Sequence, residues 1–192
     1  MNTESPSPSL VDDLPEQPPQ AAPAGIHVEI SDTQSHLKVD HAAVSQLVRA
    51  ALRHEGVIRA TISIALVDDA TIRPINKTHL GHDWPTDVIT FTLSEADEPL
   101  AGELVVSAEM AEVTARLAGV PSWDELALYT VHGLLHLCGH DDASDVDRAR
   151  MRQTEAAILS LEGLTNTFPA ALGLEPIEPA SAAGRESVRC KI

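Results

Sequence analysis

The sequence predicts a single α+β or α/β domain built on a small mixed sheet, and three observations lead there. Alternating apolar segments and helical apolar stripes interleave in the order β-α-β-α-β-β-α-α-α. A length of 192 residues suits one domain with tails, and a hydrophobic fraction of 43% supplies a buried core. Aromatics make up only 3%, so that core must be assembled from Leu, Ile, Val and Ala.

Taken in order, residues 1–25 carry Pro6, Pro8, Pro15, Pro18, Pro19 and Pro23 among Ser, Gln and Ala, the composition of a disordered or polyproline-like arm. Ile26 to Ile30 alternates and opens the domain as a strand. Asp40 can cap a helix whose stripe is Ala43, Val44, Leu47, Val48, Ala51 and Leu52, closed by Gly56. Thr61 to Val67 alternates again. Asp68 or Asp69 caps a short helix to about Asn76, with Pro74 tolerated only near its first turn. His79 to Asp87 reads as a loop, Val88 to Thr92 as a strand, Glu95 to Pro99 as an acidic turn, and Gly102 to Val106 as another strand. Ser107 opens a helix carrying Ala111, Val113, Ala115, Leu117 and Ala118. Ser122-Trp123-Asp124-Glu125 has the form of a capping box, predicting a helix over about 123–138. A last helix over about 144–161 offers Met151, Ala156, Ile158 and Leu159 to the core. Residues 26–162 thus form the expected domain, and residues 163–192, where prolines and small residues return, a loose tail.

The net charge is −16, of which residues 1–25 contribute four acids and no bases. Phosphate contacts need Lys or Arg, so a nucleic-acid grip has to come from a local patch or a charged partner. Cys138 and Cys190 give no disulfide framework. The first residues lack the basic and apolar blocks of a secretory signal, and no apolar run approaches the ~20 residues of a membrane span. The expected location is the cytoplasm.

Chemistry converges on Tyr129-Thr130-Val131-His132-Gly133-Leu134-Leu135-His136-Leu137-Cys138-Gly139-His140-Asp141-Asp142. At a spacing of four, His132 and His136 leave the same helix face. Gly139 supplies the left-handed position that ends a helix, so the chain can bring His140, Asp141 or Asp142 back toward them. Three protein ligands leave a fourth position open, the pattern of a catalytic zinc. Without the turn, His140 would sit about 12 Å along the axis from His132, beyond the reach of one ion. Asp142, with two more residues of chain, is the expected third ligand and His140 the alternative.

The spacing is similar to that of the metzincin proteases, but Gly133 stands where those enzymes carry a glutamate base and Asp142 where they carry a third histidine. The whole string resembles the His-Gly-x-Leu-His-Leu-x-Gly-Tyr-Asp-His signature of the YbeY endoribonucleases, matching at His132, Gly133, Leu135, His136, Leu137, Gly139 and Asp141. His140 replaces the usual tyrosine and Asp142 the third histidine. Pro85-Thr86-Asp87-Val88-Ile89-Thr90-Phe91 and Gly102-Glu103-Leu104-Val105 resemble two further segments of that family, so the likeness runs over about residues 26–160.

That resemblance implies a four-stranded mixed sheet packed with helices, with one Zn2+ per chain on a helix followed by a glycine turn. It implies a zinc-dependent, single-strand-specific endoribonuclease with His132, His136 and Asp141 in catalytic roles. The implied work is maturation of the small-subunit ribosomal RNA 3′ end and ribosome quality control. Expected partners are single-stranded or ribosomal RNA and the ribosome or its small-subunit proteins, with no membrane and no DNA. The rivals are a zinc metalloprotease-like hydrolase and a non-catalytic, metal-stabilised ribosome-assembly factor.

Leu80 occupies the place of a family arginine that would steady phosphate charge. Arg73 and Lys77 are the candidates to replace it and are read first as solvated. Trp84 is expected to pack, with base stacking as the second reading. His79 and His82 read as surface residues. Arg148, Arg150 and Arg152, offset by Asp145, Asp147 and Glu155, read as an ion-paired solvated surface.

Overall fold

The computed structural model describes residues 24–164 and, as backbone, 188–191. Of the expected arm (1–25) and the expected tail (163–192), residues 1–23, 165–187 and 192 lie outside the described residues. In chain order the elements are β1 (Ile26–Asp32), α1 (His41–His54), β2 (Ala60–Val67), α2 (Asp69–Leu80), β3 (Val88–Thr92), β4 (Leu100–Ser107), α3 (Ala108–Ala118), α4 (Ser122–Leu137) and α5 (Asp145–Leu161). This is the predicted sequence of strands and helices. Val188–Lys191, read from sequence as part of the tail, runs as a further strand, β5.

The fold is α+β around a mixed sheet. β1, β2 and β4 are parallel neighbours, and β3 joins β4 antiparallel. β5 extends these four strands on the far side of β3, in parallel register from Ile89↔Val188 to Thr92↔Lys191. Side chains alternate across the sheet. Ile62, Ile64, Leu66, Leu104 and Val106 therefore face one large cluster shared with α1, α4 and α5. Val67, Ile89, Phe91 and Val105 face a smaller one completed by Ile72, with Leu80 packed against it. Each fully buried Leu or Ile contributes about 1.5–3 kcal/mol.

Caps set the helix starts where the sequence offers them. Asp40 accepts from the amides of Ala42 and Ala43, Asp68 from that of Thr71, and Ser107 from that of Met110. The capping box at Ser122 does not form. The helix begins one residue earlier than expected, with Pro121 at the N-cap and no side-chain cap bond, while Asp124 and Glu125 turn inward and are buried. α2 runs four residues beyond its predicted end, through Pro74, to Gly81 in the left-handed region at φ 78°. Pro74 lies one turn inside the helix and forfeits a single amide donor, which the burial of Ile72 and Asn76 offsets. In α3 only Ala108, Ala111 and Ala115 are buried; Leu117 stays 79% exposed. Alanines let α3 approach its neighbours closely, which leaves Val113 and Leu117 outside the contact.

α4 is the centre of the domain. From Asp124 to Leu137 every residue but His132 is buried, so the helix is apolar nearly all round, as a fully packed helix must be. It lies directly on the sheet at Gly133. A Cβ there would stand 2.8 Å from Leu104 Cδ2 and 3.0 Å from Val88 Cγ2. At Gly102, on β4, a Cβ would meet both Leu137 methyls at 2.6 Å.

Candidate metal centre

The end of α4 builds the site. Cys138 donates its amide to Leu134, Gly139 to His136 at 3.0 Å, and His140 to Leu135 at 3.0 Å. With Gly139 at φ 99°, this is the glycine-terminated helix end that the spacing predicts. The turn points the two residues on either side of Asp141 differently. His140 is clipped by Nε2 to Glu55 Oε2, just past α1, at 2.8 Å. Asp141 Oδ1 accepts from the amides of Asp142 and Ala143, which fixes the next step of the chain. Asp142 returns to the histidines: ligand atoms of His132, His136 and Asp142 all lie within 4.8 Å of one another. These three residues could hold a metal ion.

Both imidazoles are oriented from behind. The rings of His132 and His136 stand edge to face with centroids 4.7 Å apart. His132 Nδ1 shares a 2.6 Å hydrogen bond with Glu155 Oε1, and His136 Nδ1 donates to the carbonyl of His140 at 3.1 Å. Each bond occupies Nδ1 and turns Nε2 toward the common point. A carboxylate or carbonyl behind a ligating histidine fixes its tautomer and raises its basicity. Burial by itself disfavours a proton on His132, but Glu155, then Asp87 and Asp142, outweigh it and raise its pKa.

Glu155 is the residue that sequence reasoning misplaced. It is not part of a solvated surface; its exposure is 0%, and its Oε2 has no hydrogen-bond partner among the described residues. A buried carboxylate is costly, and an apolar side chain of similar volume would serve packing better. Its presence behind His132 is the mark of a site. The signal in the sequence was its spacing: Met151, Glu155, Ile158 and Leu159 share the buried face of α5. Arg148 and Arg150 do pair at the surface as read, with Asp145 at 2.7 Å and Asp147 at 3.9 Å.

The loop before β3 closes one side. Asp87 Oδ1 accepts from the Thr86 hydroxyl and the Val88 amide, both at 2.9 Å, which fixes its carboxylate. Arg73 and Lys77 both bind Asp83, so they brace this loop. Leu80 packs into the smaller apolar cluster. His79 lies edge-on against Phe91, and His82 stacks on Trp84. Trp84 itself is 39% exposed, which corrects the expectation that it packs. Cys138 stands beside the turn with its thiol pushed up to about 12, mainly by burial and then by Glu55.

Comparison with known proteins agrees with this architecture. A family profile described as Endoribonuclease YbeY matches residues 29–162. An endoribonuclease YbeY of Rhodopirellula baltica is 42% identical over 130 residues, covering 67% of each chain. Another, from Carboxydothermus hydrogenoformans, is 39% identical over 141 residues, covering 71% of this chain and 97% of its own. The solution structure of a Thermotoga maritima protein superposes with a TM-score of 0.50 at 21% identity, covering 80% of this chain and 99% of that one; it bears on the fold alone. Among the described residues no helix is long and apolar enough to cross a membrane.

Proposed function

The chain belongs to the YbeY family of endoribonucleases, and from that premise we propose that it is a zinc-dependent, single-strand-specific endoribonuclease of ribosomal RNA. The observation that carries the reading is the convergence of His132, His136 and Asp142, each imidazole backed by its own acceptor. The donor set fits one ion: two nitrogens and one carboxylate leave a position open. An ion held by His132, His136 and Asp142 would supply Lewis-acid chemistry, activating water and polarising a phosphoryl oxygen.

The protein's own part is positional. Glu155 and the His140 carbonyl aim the two imidazoles. Asp141 commits one oxygen to the turn that places Asp142, so its part in the proposed catalysis is to position that ligand. Gly133 brings α4 against the sheet and leaves no room for a glutamate, so a protease-type general base at this position is sterically shut out. An aspartate ligand also makes the site harder than three histidines would, which favours oxygen-loving ions such as manganese more than a three-histidine site does.

The substrate in this reading is the small-subunit ribosomal RNA near its 3′ end. The setting is the cytoplasm, with the ribosome or small-subunit proteins as partners, no membrane and no DNA, and ribosome quality control as the wider role. The test is cleavage of single-stranded RNA by the purified protein, lost on chelation and restored by zinc, with elemental analysis of the bound metal. Restoration by manganese alone reassigns the ion. Cleavage of a peptide library in place of RNA gives the hydrolase to peptides, and a metal-loaded protein inert on both is an assembly factor.

A further inference from the structure

The loop between α2 and β3 is tied down by its backbone and charged groups while the His82 and Trp84 rings stay partly exposed. Asn76, 1% exposed, donates from Nδ2 to the Trp84 carbonyl at 2.8 Å. Arg73 and Lys77 each reach Asp83 at 2.8 Å. Between and beyond these anchors His82 and Trp84 stack, centroids 4.6 Å apart and planes inclined by 12°. The indole belongs to neither apolar cluster and keeps 39% of its surface exposed with His82 against one face. A tryptophan placed for packing sinks into a core. This one is held out from it.

The loop that carries the pair leads toward the metal centre. Trp84 is four residues from Val88, whose Cγ2 lies 3.0 Å from the Cβ position at Gly133, the neighbour of His132. Four residues span at most about 14 Å, which limits how far Trp84 can stand from Val88. Asp87, in between, is near enough for its charge to act on His132. Electrostatics favour the same place. Arg73 and Lys77 both pair with Asp83, so two cations stand at this loop in a chain of net charge −16.

We infer that the His82–Trp84 stack is a platform for an unpaired nucleobase of the RNA strand, on the loop that leads to the His132–His136–Asp142 site. The inference rests on the RNA reading above and gives it a source of strand selectivity. An aromatic face accepts any base, and only a base outside a duplex has a face to offer. Stacking also binds RNA without many phosphate contacts, which suits an acidic protein.

The chain has two tryptophans, so Trp123→Phe leaves Trp84 as the sole indole reporter. The metal-loaded, full-length variant is titrated with a short single-stranded 2′-O-methyl phosphorothioate oligonucleotide, which resists cleavage. Saturable quenching of Trp84 fluorescence is expected, with none from the same sequence as a duplex. In the otherwise native chain, Trp84→Leu weakens binding of the labelled oligonucleotide roughly ten- to hundredfold by anisotropy, the scale of one lost stacking contact. Trp84→Phe keeps most of the affinity, and His82→Ala loses a few fold. Binding with no quenching, equal quenching by duplex, or unchanged affinity in Trp84→Leu overturns the platform and leaves the RNA reading standing. No binding by either signal, with no cleavage, overturns the RNA reading as well. If Trp84→Leu does not fold, the quenching titration and His82→Ala decide the matter.

Discussion

A histidine that is to hold a cation must present a lone pair, so something has to take the proton on its other nitrogen. Glu155 does this for His132 at 2.6 Å, and the His140 carbonyl for His136 at 3.1 Å. In Glu155→Gln the charge behind His132 is lost while an acceptor oxygen remains. Metal affinity, measured against a chromophoric chelator, is expected to fall about 10–100-fold. An unchanged affinity removes Glu155 from the site. His132→Ala is expected to lose the stoichiometric ion and RNA cleavage while keeping its helix content by circular dichroism. The third position has its own pair of variants. Asp142→Ala should lose the bound equivalent, because its carboxylate completes the cluster. His140→Ala should only weaken binding, because its ring lies on Glu55 and its carbonyl, which serves His136, survives the substitution. Full occupancy in Asp142→Ala with loss in His140→Ala reverses the assignment.

Among the elements, α4 has the least freedom. Gly133 lets it rest on β3 and β4, and its far end meets Gly102 through Leu137. Gly133→Ala adds helix propensity of about 1 kcal/mol. Against that, the methyl must displace Leu104 and Val88 in a sealed core, an overpacking cost of about 1–3 kcal/mol. The expected net is a loss of roughly 1 kcal/mol in urea denaturation, with metal affinity falling in parallel because His132 shifts with the helix. A more stable variant that binds metal normally would show that α4 can lift off the sheet.

For the molecule as a whole, a charge of −16 opposes RNA at long range. The affinity for single-stranded RNA should therefore depend weakly on salt, with a logarithmic slope of no more than about 2, as expected when few phosphates are neutralised. A steep slope would reveal a basic surface elsewhere. A chain cut to residues 26–162 retains both apolar clusters apart from the contact of Leu164, and it should fold with a single cooperative melt. It loses β5 and bares the edge of β3, so a rise in self-association by light scattering should accompany it. Failure to fold would show that the removed segments, β5 among them, carry a necessary share of the domain's stability.

The sequence by itself determined the order of strands and helices, because periods of two and of 3.6 residues are local properties. It also determined the His132–His136 face and the turn at Gly139, which depend on spacing and on one residue free to take a positive φ. Only the tertiary structure decided the rest. Glu155 lies 23 residues from His132, and Glu55 lies 85 residues from His140, so neither pairing leaves a local trace. The capping box at Ser122 does not form because the helix starts with Pro121 at the N-cap and Glu125, its other half, is buried in the packed helix, an outcome of the tertiary packing. Val188-Arg189-Cys190-Lys191 alternates, but four residues are too short a local signal to name a strand, and its pairing with the edge of β3 is a property of the assembled sheet.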